Sequence, residues 1–121
     1  MSRAKRLERL NDHRTELEAE YEAALISALR KCASGSWGLF DHNKQSQPGW
    51  EPIVKELCDL GQQIDEMRLD LAMEPFALHQ EFEDSRGPVP SNAPGEPKQA
   101  QAWLDKLRPS AEATAPPQTP R

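Results

Sequence analysis

Residues 50–71 place Trp50, Ile53, Leu57, Leu60, Ile64, Met67 and Leu71 at alternating three- and four-residue spacing, with no polar residue interrupting the series. That is a heptad a/d stripe, the signature of a helix with one narrow apolar face. Such a face needs a partner, so the rest of the chain is constrained to provide one. Pro52 suits the first turn of this helix, where a missing N–H is harmless. Glu74-Pro75 ends it, because proline disfavours helix at the residue before it. Gly61 interrupts it at a cost of about 1 kcal/mol relative to Ala, which marks either a close backbone approach or a slight bend.

Residues 2–33 supply the mate. They contain no proline or glycine and are rich in Ala, Leu, Glu, Arg and Lys, the strong helix formers. Leu7, Leu10, Leu17, Tyr21, Ala24 and Ala28 keep heptad spacing, with Arg14 breaking the stripe. Toward the C-terminal end the face widens to take in Leu25, Ile26, Leu29 and Cys32, which implies burial from more than one side there. The expected fold is all-α: a long antiparallel, coiled-coil-like helical hairpin with two short C-terminal helices and a disordered tail. The divisions are 1–86 for the hairpin plus a short third helix, 87–96 for a Pro/Gly-rich linker, 97–107 for a short amphipathic helix and 108–121 for the tail. The third helix carries Phe76, Leu78, His79 and Phe82. The first helix is longer than the second and overhangs it by about nine residues. The third helix is therefore expected to cover Leu7 and Leu10.

Composition supports an elongated helical object. Only 36% of the 121 residues are hydrophobic, and eight of the eleven prolines lie beyond residue 86. No apolar run approaches the roughly 20 residues that span a bilayer, and the N-terminal stretch lacks a signal-peptide core. A cytoplasmic protein with no membrane association is expected. Cys32 and Cys58 fall about 10 Å apart along the hairpin axis, beyond disulfide reach, so both are expected as free thiols.

No catalytic residue, cofactor or metal is expected. His13, His42 and His79 lie in different elements, and none has a ligand partner at metal-binding spacing. Gly35-x-x-Gly38 lacks the preceding strand and the Lys-Ser/Thr ending of a phosphate loop. Two stretches are candidate partner contacts. The connector holds Trp37, Leu39, Phe40 and His42, apolar for a loop; these residues either plug the hairpin end or form an exposed tip. The helix at 97–107 holds Trp103, Leu104 and Leu107, and either folds back on the hairpin or docks in a partner's groove.

Net charge is −5 but uneven. Residues 1–14 set Arg3, Lys5, Arg6, Arg9 and Arg14 against Glu8 and Asp12, a local +3. Residues 56–84 set nine carboxylates against Arg68 alone, a local −8. The expected role is a small, non-enzymatic interaction or adaptor protein whose partner is a protein of unknown identity or a second copy of itself in a homodimer. The alternative is a regulator of nucleic-acid machinery. It would act through the basic patch Arg3, Lys5, Arg6 and Arg9 on phosphates, or through acidic helices that imitate them.

The pieces Ser34-Gly35-Ser36-Trp37-Gly38-Leu39-Phe40, Glu74-Pro75-Phe76-Ala77-Leu78-His79 and Pro94-Gly95-Glu96-Pro97-Lys98-Gln99-Ala100, with Trp103-Leu104, resemble segments of short uncharacterised proteobacterial helical proteins. The resemblance spans most of residues 5–107. It implies no activity, only that the connector and the short helices are part of the architecture.

Overall fold

The computed structural model describes residues 3–41 and 48–114, with side chains described as far as Leu107. Four helices follow in order: α1 (Arg3–Ala33), α2 (Trp50–Asp70), α3 (Ala77–Asp84) and α4 (Glu96–Thr114). The described residues contain no strand. α1 packs against both α2 and α4. This is the reason for its widening face. Leu17 and Tyr21 continue the seam with Leu57, Leu60 and Ile64, and Leu25, Leu29 and Cys32 are fully buried where α4 arrives.

Each turn of the chain has a local cause. α1 stops at Ala33 because Gly35 takes φ 121°, a conformation that costs glycine nothing; its N–H bonds the Cys32 carbonyl at 3.0 Å. α2 starts after Gly49 at φ 97°. Trp50 opens the helix under the Lys31 ammonium, 4.9 Å from its ring, and donates from Nε1 to Ser36 Oγ at 2.9 Å. After α2, Ala72 adopts φ 59° and reverses the chain. Arg68 Nη1 then donates to the Glu74 carbonyl at 2.9 Å, and the Phe76 N–H reaches Asp65 Oδ1 at 2.8 Å.

That reversal overturns the expected position of α3. Phe76 and Phe82 do not cover Leu7 and Leu10. α3 instead doubles back along the hairpin toward the connector. Phe76 stands edge-on to Tyr21, with centroids 5.3 Å apart, and the fully buried Phe82 lies 6.1 Å from Phe40. The determinant is Gly61. A Cβ there would fall 2.3 Å from the His79 ring, so the helix groove at Gly61 is the seat of His79. Gly61 thus marks a close approach. His79 is buried, and its Nδ1 lies 2.7 Å from the Tyr21 hydroxyl.

α4 folds back on the hairpin. Ala100, Trp103 and Leu107 are buried and Leu104 is half-buried, while Lys106 pairs with Glu81 of α3 at 3.1 Å. The helix begins one residue before the expected start, at Glu96, and its backbone continues beyond Leu107 to Thr114. Ala111 and Ala113 favour that continuation, which runs past Pro109. The remainder of the expected tail, residues 115–121, lies outside the described residues.

The connector is buried by a polar clamp. Leu39 and Phe40 are fully inaccessible, so the backbone around them must find hydrogen bonds without water. Glu96 Oε1 accepts from the N–H groups of Gly38 at 2.9 Å and Phe40 at 3.1 Å. Arg86 Nε donates to the Leu39 carbonyl at 2.9 Å, and the Gly87 N–H donates to the Phe40 carbonyl at 2.8 Å. The Glu96 carboxylate is itself buried.

Two substitutions test these contacts. Gly61→Ala should destabilise the protein by about 1–2 kcal/mol, the overpacking against His79 exceeding the gain in helix propensity. Paired with His79→Ala in a double-mutant cycle of urea unfolding, it should show coupling well above the error of the measurement. Glu96→Ala leaves two buried N–H groups without their acceptor and should cost about 2–3 kcal/mol. Hydrogen exchange at the Gly38 and Phe40 amides should quicken more than exchange along α2.

Candidate interaction surface

Arg68 of α2 lies against Glu18 of α1, and this pair sets the register of the hairpin. Counting toward the N-terminus of α1 from that pair, α2, which ends at Asp70, runs out opposite about residue 16. Residues 3–13 therefore form an arm, about 16 Å long, that projects beyond the end of α2. Leu7 and Leu10 belong to the same heptad series as the buried Leu17, yet Leu7 is 40% exposed and Leu10 only half-buried. The apolar seam of the hairpin thus continues onto a helix face that α2 does not reach. Arg3, Lys5, Arg6 and Arg9 are all exposed along this arm.

The base of the arm is fixed by an ion triad. Glu18 Oε2 receives Arg68 Nε at 2.6 Å and Arg14 Nη1 at 2.7 Å. Arg14 interrupts the leucine stripe in order to join this triad, and Asn11 Oδ1 accepts two more of its bonds. Burial alone would raise the Glu18 carboxyl, but the two guanidinium groups outweigh it and hold Glu18 below the usual carboxylate range.

Beside the base of the arm lies the C-terminal end of α2. Leu69 is 77% exposed and Met73 is exposed as well. Glu66, Asp70 and Glu74 stand around them, all exposed. The hairpin's open end therefore sets a basic, leucine-bearing arm next to an acidic end that also carries uncovered apolar groups.

The other sequence candidates are dispersed. Leu39 and Phe40 are core residues in this fold, and Trp103 and Leu107 are largely buried against α1. They are not exposed contacts, because α4 and the connector cover each other; the rings of Phe40 and Trp103 are 6.5 Å apart. Leu104 is half-buried beside them. Trp37 remains 40% exposed. His42 lies outside the described residues. The basic patch is brought together on one helix, at the opposite end of the hairpin from Trp37.

Three polar features are not expected from the sequence. Glu96 lies in a Pro/Gly-rich stretch with the composition of a linker. Arg86 marks only the end of a helix. The Glu18–Arg68 pair had a signal, since Arg68 is the sole cation among nine carboxylates and Arg14 occupies a core-facing position. The cysteines are free, as the register requires. Burial, with Glu96 adding to it, pushes the Cys32 thiol up to about 12. Cys58 is also raised, by burial first and then by Glu83, whose Oε2 lies 3.7 Å from its sulfur. Burial likewise raises the Tyr21 phenol, whose hydroxyl shares a hydrogen bond with His79 Nδ1. Among the described residues no group of three or more His, Cys, Asp and Glu side chains is arranged to hold a metal ion. Nor is any helix there long and apolar enough to cross a membrane.

The fold and surface define a small all-α protein, a helical hairpin braced by α3 and α4 with one helix end left projecting. Compared with family models, curated proteins and solved structures, the chain matches none.

The triad has a pH signature. Glu18 has a depressed folded pKa, so its contribution is present above the unfolded value near 4.5 and is lost as pH falls through the folded one. Glu18→Gln should lower stability at pH 7 by about 1–2 kcal/mol. In urea unfolding at pH 7 and pH 3, the gap between wild type and variant should narrow at the lower pH.

Proposed function

We propose that this chain is a small cytoplasmic interaction or adaptor protein, non-enzymatic, that docks through the arm formed by residues 3–13. One observation carries the reading. The apolar seam that α2 covers up to Leu17 runs on to Leu10 and Leu7, and at Leu7 it is open to solvent. Large apolar groups in line with a core and rimmed by charge are a usual mark of a contact site. The Arg14–Glu18–Arg68 triad supports it, because it fixes the direction of the arm before any partner arrives, which reduces the ordering cost of binding. The polar side chains in the interior support it too. Glu96, Arg86, Tyr21 and His79 are each bonded to other parts of the fold.

Affinity capture from the native host tests the reading. Wild type and a Leu7→Asp/Leu10→Asp variant should differ by loss of a protein partner, with the variant still folded by circular dichroism. A partner retained equally by both would overturn it. The full chain is needed, because a chain ending at Arg86 would lack Glu96, the acceptor for the connector's N–H groups.

A second reading draws on the exposed Arg3, Lys5, Arg6 and Arg9. On a projecting helix these could contact nucleic-acid phosphates, with affinity that falls steeply as salt rises. Fluorescence anisotropy of a labelled duplex at low salt should then rise with wild type and not with an Arg3→Glu/Arg6→Glu variant. No rise with wild type would eliminate this reading.

A further inference from the structure

Resting on the docking reading above, we infer that the arm's partner is a second copy of this chain, joined open end to open end with the two arms overlapped antiparallel. The first argument is geometric. In one copy, α2 runs antiparallel to α1 and covers the leucine seam until it stops near Asp70. A helix that continues this cover in the same sense runs antiparallel to α1. The arm of a second copy, related by a two-fold axis across the arms, does so, and it brings its own Leu7 and Leu10 onto the same seam. The contact is reciprocal and closes after two copies.

The second argument is charge. When two arms overlap along their length, the tip of each reaches the level of residues 13–14 in the other. Beside that level stands the end of α2. The tip carries the exposed cations Arg3 and Arg6; the α2 end carries the exposed carboxylates Asp70 and Glu74, beside the uncovered Leu69 and Met73. The C-terminal end of a helix also favours cations. Each chain thus presents both halves of a complementary pair, and a two-fold arrangement satisfies both pairs at once. The uneven charge of the sequence, +3 over residues 1–14 and −8 over residues 56–84, is distributed in the sense that this contact needs. Two leucines per copy make a small seam, so the association belongs to the weak, exchanging class.

Sedimentation velocity of the full chain, from micromolar to near-millimolar concentration, tests the inference. Wild type should shift from monomer toward dimer and no further, and less so at high salt. Leu7→Asp should weaken dimerisation by at least about tenfold. Arg3→Glu/Arg6→Glu and Asp70→Lys/Glu74→Lys should each be monomeric, because each sets like charges together. An equimolar mixture of those two variants should regain the dimer, since both of its contacts then pair opposite charges. All substituted side chains lie outside the buried core, and thermal unfolding should confirm that each variant folds.

Wild type that stays monomeric throughout overturns the inference. So does a dimer indifferent to Leu7→Asp and to the charge reversals, an open-ended polymer, or a mixture that fails to reassociate. A monomeric wild type that still captures another protein through residues 3–13 would remove the second copy and leave the docking reading standing. Failure of both would remove the reading itself.

Discussion

A buried stretch of irregular chain has to find partners for every N–H and C=O it takes out of water. Residues 38–40 are such a stretch, and the rest of the fold depends on how they are satisfied. Glu96 takes two N–H groups on one carboxylate oxygen, and Arg86 and Gly87 donate to two carbonyls. These three residues come from the turn after α3 and the start of α4. The clamp therefore fixes where both C-terminal helices attach, and with them which face of α1 is covered twice. Burial of Leu39 and Phe40 supplies the apolar gain, and the clamp removes the desolvation cost that would otherwise oppose it.

The two ends of the hairpin are built on opposite principles. At the connector end, α1, α3 and α4 converge with Trp50 and the connector itself, and Cys32, Phe40 and Phe82 lose all contact with solvent. At the other end α1 runs alone. The Glu18 triad divides the two regimes. Leu17, between Arg14 and Glu18, and Tyr21 on the inner side are in the core, and on the outer side Leu7 is exposed. α3, the element expected to cover the outer side, is turned the other way by Ala72 and held there by Asp65 and by the fit of His79 at Gly61.

The helices and their pairing were legible because they rest on periodicity. The stripe from Trp50 to Leu71 marked α1 and α2 as mates, and the widening face at Leu25, Leu29 and Cys32 marked burial from more than one side without saying by what. The direction of α3 was not legible. It depends on a left-handed alanine and on a ring seated over a glycine, and neither leaves a periodic trace. The clamp was illegible for a different reason. Glu96 and the amides it serves are separated by 56 and 58 positions, and a carboxylate beside prolines reads as solvated linker until the chain is folded. The overhang of α1 was legible from helix lengths, while the neighbouring acidic end with exposed Leu69 emerged only from the way α2 terminates.

The placement of Glu96 also bears on how the chain matures. A hairpin with local contacts closes early, but its connector cannot dehydrate at that stage, because the acceptor it needs lies more than fifty residues downstream. As synthesis proceeds, α1 and α2 can pair while residues 38–40 stay hydrated. Their burial with satisfied N–H groups requires the Glu96 carboxylate at the head of α4. The division at residue 86 that composition suggests is therefore not a seam between autonomous pieces. The connector's share of the core, Leu39 and Phe40, is complete only with Glu96 in place, and the helix that Glu96 heads acts as its bolt.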